Sequence, residues 1–145
     1  GSREIVTKER RRLEQLIDGG KNGLPERVRE YLKDLHRRVS GANVGFRRKN
    51  MPALLQRFFQ DMAAVLKNCH YVLRPGGDAM IVIGDNQMRI ENNYERIPTT
   101  DFMQEIAVDC GLELLERIDI SVTTENLVHI KNAITENVVL WLHKP

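Results

Sequence analysis

Apolar residues recur at three- and four-residue intervals in four stretches of this chain and run without interruption in one. Residues 3–17 carry a thin stripe, Ile5, Val6, Leu13, Leu16 and Ile17, that predicts a helix ended by Gly19-Gly20. After a polar, glycine-bearing link at 21–24, Pro25 suits the first turn of a second helix. Its apolar face is Val28, Tyr31, Leu32, Leu35 and Val39, with charges on the opposite side. Ser40-Gly41-Ala42-Asn43 breaks the period, and residues 40–50 read as a loop with exposed Arg and Lys. Pro52 opens the strongest helix: Leu55, Phe58, Phe59, Met62, Leu66, Cys69 and Leu73 define a buried face about six turns long.

Arg74-Pro75-Gly76-Gly77 stops that helix, since proline cannot continue it and glycine takes the positive φ of the turn. Ala79-Met80-Ile81-Val82-Ile83 then lacks polar alternation, which predicts a strand covered on both faces, as in parallel α/β sheets. Residues 86–98 are polar, with room for a short ribbon. Thr99 or Thr100 is the expected cap of a fourth helix whose inner face is Phe102, Met103, Ile106, Ala107 and Cys110, with Gly111 as its stop. Strands are expected over 112–122 and 138–142, with a polar loop at 123–135. No helix separates these two strands, so they can pair as an antiparallel hairpin.

The length, 145 residues, suits one domain, and a charged fraction of 29% with 41% hydrophobic residues is globular. No apolar run approaches the ~18 residues of a spanning helix, so no membrane partner is expected. Cys69 and Cys110 sit inside apolar helical patterns and do not form a disulfide framework. With no secretory leader, a reduced, cytoplasmic setting is expected. The opening Gly1-Ser2, without an initiator Met, suggests a piece of a longer protein.

Charge is unevenly spread. Residues 1–50 hold 14 Lys/Arg and 7 Asp/Glu; residues 51–145 hold 8 and 13. Clusters at Arg10–Arg12, Arg37-Arg38 and Arg47-Arg48-Lys49 suit phosphate neutralisation. They suit a solvated helix face equally, because Glu9, Glu14, Glu26, Glu30 and Asp34 are interleaved. The sequence thus divides into a basic helical arm, 1–39, and a body, 40–145.

Phe59-Gln60-Asp61-Met62, Val72-Leu73-Arg74-Pro75-Gly76-Gly77 and Met80-Ile81-Val82-Ile83-Gly84-Asp85-Asn86 give the body a family likeness. With Ile97-Pro98-Thr99 and Glu136-Asn137-Val138-Val139-Leu140, they make residues 40–145 resemble the C-terminal half of a class I S-adenosylmethionine-dependent methyltransferase. The nearest subgroup is the DNA amino-methyltransferases that modify adenine N6 or cytosine N4. The resemblance implies an α/β fold: a partial Rossmann-like methyltransferase sheet of one parallel strand plus a C-terminal antiparallel hairpin, with helices around it. It also implies a transferase of EC 2.1.1 type, S-adenosylmethionine in the full-length parent, and DNA as partner. RNA methylation, or a non-catalytic nucleic-acid- or partner-binding module of degenerate methyltransferase fold, are the alternatives.

Two family features are missing. No Gly-x-Gly turn follows a strand, and no Pro-Pro motif exists to orient the target amine. The resemblance therefore implies that both lie upstream, that catalytic residues are not identifiable here, and that this chain alone does not bind the cofactor. The family's strand order would leave one edge of the 79–84 strand unpaired, favouring self-association or pairing with the missing N-terminal half.

Asp85 and Asn86, at a strand's C-terminal end where α/β sheets bind ligands, are substrate-side candidates, as is Tyr94 in the polar segment that follows. Asp85 suits a plain turn role as well. Arg37, Arg38, Arg47, Arg48, Lys49, Arg89 and Arg96 are the nucleic-acid-binding candidates. His36, His70, His129 and His143 share no metal-ligand spacing, and Ser40 and Ser121 have no partners for nucleophilic hydrolysis. Methyl transfer needs neither, since the methyl carbon is already activated and the protein mainly aligns the reactants.

Overall fold

The periodic stretches become helices: α1 (Ser2–Gly19), α2 (Glu26–Gly41), α4 (Met51–Val72) and α5 (Thr99–Asp109). The computed structural model describes residues 2–20, 22–121 and 136–145; side chains 1–6, 21 and 121–136 are outside the description. The expected loop at 123–135, His129 and the side chains of Ser121, Ile5 and Val6 therefore fall outside it. Two compact units share the chain: residues 1–64 with 89–93, and residues 65–88 with 94–145.

In the first unit, α2 buries Val28, Leu32, Leu35 and Val39, one face of a regular helix. Each such side chain contributes roughly 1.5–3 kcal/mol by leaving water. Leu13 and Ile17 of α1 and Leu55 and Phe59 of α4 are buried too. Asn22 fixes the link between the first two helices: its side-chain amide donates to Gln56 Oε1 at 3.2 Å, and its Oδ1 accepts from the Leu24 N–H at 3.2 Å. The expected loop at 40–50 contains one helical turn, α3 (Phe46–Lys49). Four residues with one exposed apolar side chain leave no periodic signature; the turn is revealed by its backbone bonds, from the N–H groups of Arg48 and Lys49 to Gly45 C=O and from that of Asn50 to Phe46 C=O.

In the second unit, Leu66 of α4 is buried, while Cys69 and Leu73 are half-buried; Met62, in the first unit, is half-buried and Phe58 is exposed. The turn after α4 is built as its residues require. Gly76 has φ +86°, and a Cβ on Gly77 would stand 3.0 Å from Arg74 O. Lys144 locks this turn. Its Nζ donates to the carbonyls of His70 and Leu73 at 2.7 and 2.8 Å, satisfying groups a helix end leaves open. Its backbone exchanges hydrogen bonds with Gly76 and Gly77.

The strands are β1 (Asp78–Ile83), β2 (Asn86–Ile90), β3 (Asn93–Ile97), β4 (Glu113–Ser121) and β5 (Glu136–His143). A three-stranded sheet has the order β1-β5-β4, and β2 with β3 forms a separate ribbon. The last strand enters the middle: Asp78 pairs with His143 and Ile83 with Val138 on one side, Glu113 with His143 and Asp119 with Val138 on the other. The hairpin pairing and the β1–β5 neighbourhood match expectation. The parallel pairing does not appear among the described residues: both pairings of the three-stranded sheet are antiparallel. β1 and β4 nevertheless run in the same direction, because each opposes β5.

A correction concerns the cover of β1. Ala79, Ile81 and Ile83 are half-buried, but Met80 and Val82 are 56% and 61% exposed. They share a face with Ile118 and Ile120, also exposed. The opposite face holds Leu140 and Leu142, both fully buried; α5, in contact with β4 and β5, supplies Phe102, Met103, Ile106 and Ala107 to the core. A continuous apolar run is a statement about composition, and here it goes with one half-buried and one exposed face.

Gly111 has φ +93° and follows α5 as the sequence predicts. Neither Thr99 nor Thr100 caps α5 through its side chain. Pro98 occupies the cap position, the Thr99 hydroxyl donates to Ile97 C=O at 3.4 Å, and the capping carboxylate comes from Asp85. Among the described residues, no helix is long and apolar enough to cross a membrane.

Candidate functional site

Asp85 follows β1 closely, and its two oxygens do different work. Oδ1 accepts the Thr100 backbone N–H at 2.8 Å, filling one of the open donors at the α5 N-terminus. Oδ2 accepts from Arg96 Nε at 3.1 Å. One carboxylate thus joins the end of β1, the end of β3 and the start of α5. Its side chain is only 16% exposed, whereas that of Arg96 is 61% exposed.

Across the same pocket, Arg117 on β4 donates to Asp101 Oδ1 at 2.6 Å and Gln104 Oε1 at 3.3 Å. Asp85, Arg96, Thr100, Arg117 and Asp119 line a cavity of about 390 Å³, with Ile120 and Val138 as its apolar wall. The cavity lies where β1 and β4 end and β5 begins. It offers carboxylate acceptors, guanidinium donors and a short apolar surface. That combination suits a polar ligand bearing both hydrogen-bond donors and acceptors. Burial pushes the Cys110 thiol up, with Lys67 opposing, so it does not supply a ready thiolate. Among the described residues, no group of three or more His, Cys, Asp or Glu is placed to hold a metal ion.

The candidates named from sequence separate here. Asp85 and Arg96 share the pocket. Asn86 is exposed at the start of β2 and Tyr94, 67% exposed, projects from β3. Arg89 donates from Nε to Glu91 C=O at 2.9 Å within the ribbon turn. Arg37 and Arg38 both pair with Asp34. Arg47, Arg48 and Lys49 form α3 and are exposed. Sequence reasoning missed Arg117, Asp101 and Asp119, because their convergence with Asp85 depends on a strand pairing that closes a long stretch of chain.

Among the described residues the glycines at positive φ are Gly20, Gly23, Gly76 and Gly111, and the element preceding each is a helix.

The fold of this chain is similar to part of solved structures of TTHA0409 from Thermus thermophilus, described as a candidate DNA modification methylase. Its complex with S-adenosyl-L-methionine matches with a TM-score of 0.53 at 22% identity, over 63% of this chain and 38% of that one. Another crystal structure of the same protein matches with a TM-score of 0.53 at 17% identity, over 77% of this chain and 52% of that one. This chain therefore spans between 38% and 52% of the length of that protein. No family model matches the sequence, and no curated protein does.

Proposed function

We propose that this chain is the distal part of an S-adenosylmethionine-dependent methyltransferase that modifies an exocyclic amine of a DNA base. Residues 40–145 belong to its Rossmann-like catalytic domain, and residues 1–39 form a basic arm. The observation that carries the reading is the order β1-β5-β4 with β5 reversed, together with a polar pocket at the ends of the two like-directed strands.

In this reading the pocket is the substrate side. The carboxylates of Asp85 and Asp119 accept N–H from an exocyclic amine, and Arg96 and Arg117 donate to ring nitrogens or phosphate. Ile120 and Val138 give the ring an apolar contact. Asn86 and Tyr94 lie on the ribbon strands, where Tyr94 offers a stacking face for an unpaired base. S-adenosylmethionine, held by another part of the protein, supplies the activated methyl group. The outer edge of β1, unpaired among the described residues, and the exposed row of Met80 and Val82 are where that other part packs.

The test uses the longer protein recovered by extending the reading frame upstream of Ser2. Incubation with methyl-labelled S-adenosylmethionine and duplex DNA, followed by nucleoside analysis, is expected to give N6-methyladenine or N4-methylcytosine. A product on cytosine C5, or methylation of RNA alone, overturns it. This chain by itself is expected to show no micromolar binding of S-adenosylmethionine by calorimetry.

A further inference from the structure

Several arginines of the first unit are neutralised from within. Arg12 pairs with Glu9 at 2.7 Å, and Arg37 and Arg38 pair with Asp34. The α3 turn differs. Arg47, Arg48 and Lys49 are consecutive and exposed, and the nearest carboxylates in the sequence are at Asp34 and Asp61. No ion pair joins any of the three to an acid among the described residues.

The turn is also held in place. Arg10 of α1 donates from Nη1 to Asn50 Oδ1 at 3.1 Å, directly after α3, and its guanidinium lies 5.9 Å from the centroid of the Phe46 ring. Glu14 lies 3.3 Å from Arg10 Nε and orients the guanidinium from its own helix. Phe46 is 65% exposed, so the cation above its face does the fixing that burial would otherwise do. Arg10 and Lys49 line one cavity of about 260 Å³ with Glu14, His36, Val39 and Ser40. On the other side, the Asn43 N–H donates to Glu91 Oε1 at 3.3 Å, tying the segment before α3 to the ribbon turn. Glu91 adopts φ 55°, a left-handed conformation uncommon for a glutamate.

We infer that α3 is a pre-ordered docking turn for the phosphate backbone of duplex nucleic acid, and that Arg10 is the residue that positions it. Three positive charges occupy about 4.5 Å of helix axis, against one phosphate charge per roughly 1.7 Å of duplex axis. An ordered cluster of that density releases counterions without first losing loop entropy. The inference rests on the nucleic-acid reading above. It goes beyond that reading by selecting three of the seven basic candidates and by giving Arg10 a role through Asn50 and Phe46 rather than through direct contact.

The experiment is equilibrium binding of this chain to a labelled DNA duplex across a series of salt concentrations. Replacing Arg47, Arg48 and Lys49 together by Ala should lower the log–log salt slope by about 2.7, three contacts at about 0.9 each. Arg37→Ala with Arg38→Ala should leave the slope unchanged. Arg10→Met should weaken binding about two- to tenfold with the slope preserved, because ordering α3 is then required at the moment of binding. Faster amide exchange at residues 46–50 should accompany it. Asn50→Ala removes the acceptor instead of the donor and should behave alike, which guards against a folding defect in the Arg10 variant. An unchanged slope in the triple variant overturns the assignment while the nucleic-acid reading stands, provided the parent chain binds the duplex. Wild-type affinity in Arg10→Met overturns the positioning role. Binding to phosphatidylserine vesicles but not to duplex overturns both the assignment and the nucleic-acid reading.

Discussion

Asp78 and His143 meet where β1 begins and β5 ends: His143 Nδ1 donates to Asp78 Oδ1 at 2.6 Å, across a cross-strand pair. The hydrogen bond from His143 is the main reason the Asp78 carboxyl lies below the ordinary carboxylate range; burial opposes it. A carboxyl depressed in the folded state favours folding above its unfolded pKa, and that contribution is lost as pH falls through the folded value. The melting temperatures of the parent chain and Asp78→Asn should therefore differ at pH 6 and converge below the usual Asp range, about 3.9. A constant difference down to about pH 2 would show that the Asp78 carboxyl does not contribute as described.

Asp85 supports α5 whatever it does for a ligand. Asp85→Ala removes both the acceptor for the Thr100 N–H and the partner of Arg96, and should cost about 1–2 kcal/mol in urea denaturation. Asp85→Asn keeps an oxygen for Thr100 and should recover at least half of that loss. Equal losses in the two variants would mean that the charge pair with Arg96, not the cap, carries the stability.

The two faces of the sheet should respond differently to substitution. Leu140→Ala opens a hole among fully buried side chains and should cost about 2–5 kcal/mol. Val82→Lys lies on the exposed face and should change stability by less than about 1 kcal/mol, while reducing self-association seen by light scattering. Comparable losses in both would mean that Val82 is covered in the folded chain.

Elements with a strong period are legible from the sequence alone. The α2 stripe of Val28, Leu32, Leu35 and Val39 is a local property and needs no partner to be recognised. The placement of β5 beside β1 is legible only through resemblance, since nothing local links Ala79 to Leu142. α3 escapes a sequence reading because Phe46-Arg47-Arg48-Lys49 has no apolar spacing to read. The α5 cap is misassigned to a threonine because a sequence offers the nearest oxygen first, whereas the observed oxygen comes from Asp85, 15 residues upstream. Arg117 joins the pocket only through the register of β4 on β5, which the bulge between Leu114 and Glu116 adjusts and which no composition encodes. The cover of β1 is misread for a different reason: apolarity measures what Met80 and Val82 would gain by leaving water, and does not itself place a segment over them.

Because β5 lies between β1 and β4 yet is translated after both, the ladders that join the three strands form only at the end of synthesis. β1 leaves the ribosome about 55 residues before β5. Until then the edge of β1 that β5 will cover has no partner, and pairing it requires closing a long loop, a step that slows folding as sequence separation grows. Helices α2 and α4 can form while they wait, since their bonds are local. A pause or truncation before residue 136 would accordingly leave a helical intermediate with two orphan strands, the species on which chaperones and proteases act.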